Sequence, residues 1–206
     1  MKLFLAVCFS FFAVAVAAQD LAPDALVKNI SDEVIGIIKQ DKDIRAGDQK
    51  KINDLVDAKV LPYFNFSRMT ALAVGRNWPK ANAEQQKSLT GEFRTLLVRT
   101  YSSALTTYKN QVIEFKPLRA AVGDTDVTVK TQVKQPGTEP MSIDYAMEKT
   151  PKGWKVYDVV VGGVSLVTNY RETFNAEIRG GGIDGLIKSL ASKNRSPDTQ
   201  PGSKPK

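Results

Sequence analysis

Val127-Thr128-Val129-Lys130-Thr131-Gln132-Val133-Lys134, then Ile143-Asp144-Tyr145-Ala146-Met147-Glu148, then Trp154 to Val161, stand in succession in the middle of this chain. Apolar and polar residues alternate in the first two runs, the pattern of strands with one covered and one wet face. Pro136-Gly137 and Pro151-Lys152-Gly153 separate the runs as turns. A further apolar run, Val112 to Leu118 with Ile113 and Phe115, lies upstream of the turn signal Gly123-Asp124. Connections this short join neighbouring antiparallel strands, so the middle of the chain is expected to be a four-stranded meander. Its covered face needs a second layer, and only helices from the flanking sequence can supply one.

Both flanks carry helical patterns. Pro23-Asp24 opens a segment with Leu26, Ile30, Val34, Ile37 and Ile38 at spacings of three and four, flanked by Val27 and Ile35. Asp48 is placed to cap a second helix bearing Ile52, Leu55 and Val56. An aromatic corner, Val60 to Phe66, follows, and Ser67 is the expected cap of a short helix through Leu72 and Val74 that stops at Gly75. Asn82-Ala83-Glu84-Gln85 resembles a capping box. Beyond it, Leu89, Phe93, Leu96, Leu97, Tyr101, Ala104, Leu105 and Tyr108 keep a helical period over about six turns. After Gly162-Gly163, Leu166, Tyr170, Phe174 and Ile178 recur every four residues. Gly180-Gly181-Gly182 is read as that helix's stop, and Ile183, Leu186, Ile187 and Leu190 mark a last one. The expected class is α+β, a curved four-stranded antiparallel sheet cupped by several helices.

The chain ends carry different signals. Lys2 precedes an apolar run from Leu3 to Ala18 that closes on small residues, which reads as a cleaved secretory signal peptide over 1–18. Cys8 lies too early in that run for a lipidation box. Removal of 1–18 leaves a chain without cysteine and lowers the net charge from +7 to +6. That composition suits a secreted or periplasmic protein that folds in an oxidising space without thiol chemistry. Residues 194–206 hold Pro, Ser, Gly and Lys with no apolar side chain, and read as a disordered tail. A single domain over 19–193 remains. Its mild positive charge favours anionic surfaces or acidic partners. No dense basic patch interleaved with aromatics appears, so nucleic acid is not an expected partner.

The 206 residues contain no histidine and one cysteine. Histidine-dependent triads, histidine general bases and most catalytic zinc sites are thereby excluded, as are cysteine metal clusters. Phosphate-loop and dinucleotide glycine patterns are absent. Asp144 and Glu148 fall on the opposite alternation from Ile143, Tyr145 and Met147 and are expected to face water. Asp158 is ambiguous, because the valines after it blur the alternation. An acid facing an apolar cup would make Asp158, with Tyr145 or Tyr157, the base of a small-molecule isomerase-like enzyme. Whether Asp158 faces inward discriminates that alternative. The glycine triplet could form an anion nest, but termination of a helix explains it better.

What the sequence supplies in quantity is apolar surface. Phe64, Phe66, Met69, Leu72, Leu96, Leu97, Tyr101, Leu105, Ile113, Phe115, Tyr145, Met147, Trp154, Val159, Val161, Leu166, Tyr170 and Phe174 are all expected to point inward. Periodicity does not distinguish a solid core, as in a protein-binding module, from a lined cavity.

Two long segments carry a resemblance. One is Leu61-Pro62-Tyr63-Phe64-Asn65-Phe66-Ser67-Arg68-Met69-Thr70-Ala71-Leu72-Ala73-Val74-Gly75-Arg76-Asn77-Trp78, continuing through Glu84-Gln85-Gln86 to Tyr101. The other runs from Gly153-Trp154-Lys155-Val156-Tyr157-Asp158 to Tyr170-Arg171. Both resemble the MlaC family, the periplasmic phospholipid-binding component of the bacterial outer-membrane lipid asymmetry system, also called toluene-tolerance proteins. Two positions depart from the family pattern: Asn65 stands where the aromatic corner usually has an aspartate, and Pro79 where a basic residue often follows the tryptophan.

The resemblance implies a deep apolar pocket between sheet and helices, with the inward set above, Ile113 apart, as its acyl-chain lining. It implies a head group near the mouth, for which Arg99, Tyr101 and Arg171 are the candidates; the alternative is that both arginines are ordinary surface residues. It further implies a monomeric shuttle that hydrolyses nothing and has no cofactor other than lipid cargo. Its partners would be an outer-membrane lipoprotein–porin complex and an inner-membrane ABC transporter with a lipid-binding ring, met in transient contacts. Such a carrier must keep tails dry, since each methylene exposed costs about 0.8 kcal/mol and two tails on the order of 20–25 kcal/mol. A pocket of roughly 1,000 Å³ is expected, near the top of the ordinary range. Opening by movement of the long helix against the sheet is the expected release route.

Overall fold

The computed structural model describes residues 21–107 and 110–196. The segment read as a signal peptide, Tyr108, and the tail beyond Ser196 lie outside the described residues.

The sheet has five strands, ordered β1 (Val112–Phe115), β2 (Asp126–Lys134), β3 (Met141–Thr150), β4 (Gly153–Val161) and β5 (Val164–Ser165). Every neighbouring pair is antiparallel. The alternation in β2 is realised: Val127, Val129 and Thr131 are buried and Asp126, Thr128 and Lys130 exposed. The register sets Val127 opposite Met147, Val129 opposite Tyr145 and Thr131 opposite Ile143, which gathers these side chains on one face. Buried Thr131 donates its hydroxyl to the Ile143 carbonyl at 2.6 Å.

The fifth strand corrects the four expected. Gly162 and Gly163 both have positive φ, 57° and 85°. Two such residues in a row make a tight hairpin turn of the hand that suits twisted strands. Val164 and Ser165 therefore pair back onto Val161 and Val160 before the helix begins.

Among the described residues six α-helices flank the sheet: α1 (Pro23–Gln40), α2 (Lys42–Ala46), α3 (Gln49–Lys59), α4 (Phe66–Val74), α5 (Ala83–Tyr101) and α6 (Leu166–Arg195). The Asn82–Gln85 capping box opens α5 as expected. The cap of α4 is Asn65 rather than Ser67, its side chain accepting from the Arg68 amide at 3.0 Å. Helix α5 stops at Tyr101, and the chain tightens into a 3-10 segment over Ser102–Thr107 that carries Ala104 and Leu105. Helix α2, too short to show a helical period in the sequence, is a single turn capped by Asp41 at one end and by left-handed Gly47 at the other. Helix α6 breaks at Gly182, where φ is 68° and ψ −169°, and then runs on to Arg195, so Asn194 and Arg195 are helical rather than part of a tail.

Two layers of core result. Met69, Val74, Leu89, Phe93, Val167, Phe174, Leu186 and Leu190 fill the space among α4, α5 and α6. Phe93 stands edge-on to Tyr170 and to Phe174, each at 5.1 Å between ring centres. Leu26 and Val27 of α1 meet Val127, Val129, Met147, Trp154 and Val156 of the sheet. Phe64 touches both cores. Helix α5 packs on α4 and α6, whereas α1 is the helix laid against β2, so the long helix is not the sheet's partner.

Candidate functional site

The α1–sheet layer is hollow. A cavity of about 430 Å³ lies there. Helix α1 contributes Val27, Ile30, Ser31, Val34, Ile35 and Ile38, and the aromatic corner Val60, Tyr63 and Phe64. Ala104 and Leu105 of the 3-10 segment, Gln111 and Ile113 close one side, and Val133, Met141, Ile143, Tyr145, Met147 and Val156 form the sheet wall. No charged side chain occurs among these lining residues. One face of β3 grades the depth: Met141 is 51% exposed at one end and Met147 fully buried at the other. Met141 therefore marks the rim and Met147 the floor, with Val156 and Ile38 buried beside the cavity as well.

Of the residues expected to line a pocket, Phe64, Leu105, Tyr145 and Met147 do so, and Ile113, expected only to point inward, lines it as well. Met69, Leu96, Leu97 and Phe174 are buried in the helical core instead, with Phe66, Leu72 and Tyr170 packed against it. Trp154 and Val159 belong to the α1–sheet core but not to the cavity wall, and Phe115, Val161 and Leu166 pack against that core. Tyr101 is exposed on α5, near Tyr170. Arg99 donates to the carbonyls of Asn194 and Ser196, and Arg171 donates through Nε to the Leu72 carbonyl at 3.1 Å. The three residues expected at a head group thus lie among the helices, away from the cavity wall. The missed wall is chiefly α1. Its sequence signal was present: Leu26, Val27, Ile30, Val34, Ile35, Ile37 and Ile38 span an arc wider than one packing stripe needs.

Tyr145 is the unusual wall residue. Its cross-strand neighbours are Val129 and Val159, and Ile143 and Met147 flank it on the same face. Burial pushes its hydroxyl up to about 12. Tyr157, by contrast, is displaced by the β-bulge between Ala146 and Met147 and donates to Asp126 at 2.7 Å. Arg68 covers the Tyr157 ring at 3.5 Å and pairs with both Asp126 and Glu148 at 2.8 Å. Asn65 completes this cluster by donating to Glu148 at 2.7 Å. The cluster ties α4 to three strands near the cavity's closed end.

Asp158 faces neither cavity nor core. Its carboxylate accepts from the Val159 and Val167 amides at 2.8 and 3.2 Å and from the Ser165 hydroxyl at 2.5 Å, holding the start of α6. The isomerase alternative required this acid inside the cup, and it is not there. Among the described residues no group of acids could hold a metal ion, and no helix is long and apolar enough to cross a membrane.

Known proteins share this architecture. The family model described as MlaC protein matches residues 28–192. The intermembrane phospholipid transport system binding protein MlaC of Haemophilus influenzae is 24% identical over 191 residues, covering 91% of this chain and 89% of its own. The toluene tolerance protein ttg2D of Pseudomonas putida is 24% identical over 200 residues, covering 93% and 91% respectively. A solved phospholipid-binding protein from Ralstonia solanacearum, in complex with a phospholipid, superposes with a TM-score of 0.79 at 42% identity. That alignment covers 84% of this chain and 97% of the other.

Proposed function

The chain belongs to the MlaC family, and on that premise we propose that it is a phospholipid-binding shuttle of the periplasm, exported by a signal peptide over 1–18 and carrying acyl chains in the α1–sheet cavity. The observation that carries this reading is the uncharged cavity itself. A hollow of about 430 Å³ walled by Val, Ile, Leu, Met and aromatic side chains is an unfavourable thing to maintain empty, because its lining forgoes dispersion contacts. An acyl chain restores them and brings no charge to be buried. The solved relative with a phospholipid bound supports the same ligand class.

Size refines the reading. If a methylene fills about the 30 Å³ of a water molecule in the liquid, one tail of 14–16 methylenes needs roughly 420–480 Å³. The observed space is enough for at least one such tail and is under half of the roughly 1,000 Å³ expected. Housing two tails requires the cavity to widen. Helix α1 is the mobile wall in this proposal, replacing the long helix, because it contributes a third of the lining and is joined to the rest through short elements. The cluster of Arg68, Asp126 and Glu148 then holds the far end fixed. Loading and unloading occur against membrane partners, a lipoprotein–porin complex at the outer membrane and an ABC transporter with a lipid-binding ring at the inner. The protein acts as a monomer, without catalysis and without a cofactor.

A fluorescent-phospholipid transfer assay between vesicles tests this reading. The variant Ile30→Trp places an indole into the cavity from α1. It is expected to keep its fold by circular dichroism and to lose most transfer. Transfer at the wild-type rate by the folded variant would contradict use of this cavity.

A further inference from the structure

Four polar side chains line the cavity: Ser31, Tyr63, Gln111 and Tyr145. Gln111 donates to Gln135 at 2.8 Å. Tyr63 sits at the corner with the Lys155 ammonium 5.7 Å from its ring. The Ser31 hydroxyl can turn to the carbonyls of its own helix. Tyr145 differs from all three in its place in the middle of the sheet wall. It is set in mid-sheet between Val129 and Val159, and among the described residues no group accepts a hydrogen bond from its hydroxyl. Tyr145 is only partly buried, so its hydroxyl is a donor that the apolar wall leaves open to whatever occupies the cavity, where a phenylalanine would offer none. The hydroxyl stays protonated at neutral pH, because burial moves it up to about 12.

Depth identifies what this donor can meet. Tyr145 lies four residues along β3 from the rim residue Met141 and two short of the floor residue Met147. At about 3.3 Å per residue that is roughly 13 Å below the rim. A fully extended chain advances about 1.2 Å per bond, as about 3.6 Å per residue of three bonds implies. A phospholipid with its glycerol at the rim therefore presents about its tenth or eleventh tail carbon to this hydroxyl. Its ester carbonyls lie near the mouth, and its phosphate is not drawn deeper, because among the described residues the wall offers no cation to pair it. At this depth a saturated tail offers no acceptor. A cis double bond offers one, the face of its π system, to which an O–H donor binds weakly but favourably.

We propose that Tyr145 is a specificity-determining residue that favours acyl tails carrying a mid-chain cis double bond, its hydroxyl donating to the π face. This rests on the carrier reading above and names the tail class within it.

Competitive loading tests it. Wild type and Tyr145→Phe are each exposed to vesicles containing equal amounts of two phospholipids with one head group and 18-carbon tails, one saturated and one cis-unsaturated at carbon 9. Bound lipid is then extracted and weighed by mass spectrometry. The expected result is an enrichment for the unsaturated lipid about three-fold greater in wild type than in the variant, in keeping with a weak donor–π contact. Comparing the two proteins cancels any difference in how easily the lipids leave the vesicle. Equal enrichment in the two proteins overturns the proposal. A diester-over-diether preference that Tyr145→Phe abolishes would assign the hydroxyl to an ester carbonyl and overturn it too. Uptake of no phospholipid by either protein would instead remove the carrier reading beneath it.

Discussion

Asn65 does two jobs at once. Its oxygen caps α4 through the Arg68 amide, and its Nδ2 donates to Glu148. Aspartate caps as well as asparagine, but it has no proton to give Glu148 and would set two carboxylates at hydrogen-bond distance. Asn65→Asp is therefore expected to lower stability by about 1–2 kcal/mol at neutral pH, read from the urea midpoint. An unchanged midpoint would mean that the Asn65–Glu148 contact is not formed. The sequence marks position 65 as a departure from the family pattern, and the alternation in β3 turns Glu148 away from Met147. It does not bring together two residues 83 apart in the chain. That pairing depends on where the aromatic corner meets β4, at the bridge of Phe64 to Val156. Asp158 is a parallel case: only the fifth strand shows that its oxygens are engaged in holding α6.

Helix α6 owes its shape to one residue. Gly182 adopts φ 68° and ψ −169°, a conformation essentially confined to glycine. A Cβ there would meet no atom within 4 Å, so Gly182→Ala tests backbone strain without a packing change. The expected loss is about 1–3 kcal/mol in chemical unfolding, whereas Gly181→Ala, at a helical position, should be neutral or stabilising. Equal effects at the two sites would place the break elsewhere. The short edge strand β1 depends on charge. Glu114 pairs with Lys116 at 2.8 Å and with Lys134 at 2.5 Å, and Lys116 chiefly, then Lys134, hold its carboxyl down at about 2. A carboxyl whose pKa is depressed on folding contributes fully above its ordinary value and is lost as pH falls through the folded one. Amide protection of β1 should therefore decline between about pH 4.5 and 2, and Glu114→Gln should remove that dependence. The helical period that runs past Tyr101 shows why element ends are hard to read: Ala104 and Leu105 keep the inward spacing although the backbone has tightened to 3-10.

Across the whole molecule, one layer is solid and the other hollow, and this distinction was not readable in the chain. The regular stripes of α4, α5 and α6 announce burial, and Phe93, Phe174 and Leu190 are buried. Their faces meet one another directly, so they pack shut. The broad arc of α1 faces a curved sheet, and Ile30, Ile35 and Ile143 border space between them rather than touching throughout. Periodicity reports which side of an element turns inward. It is silent on how far away the opposing layer stands, and that distance separates a core from a cavity. A filled cavity should also stabilise the fold: at a lipid level of 100 times Kd the gain is about 2.7 kcal/mol, so stripping lipid is expected to lower Tm and adding it back to restore it. The most direct measurement is solvent extraction of the freshly purified, exported protein followed by lipid mass spectrometry. The account predicts diacyl phospholipid in near-stoichiometric amount, and its loss from Ile30→Trp. Extracts free of lipid from both proteins, with the wild type also unable to take up phospholipid from vesicles, would contradict it.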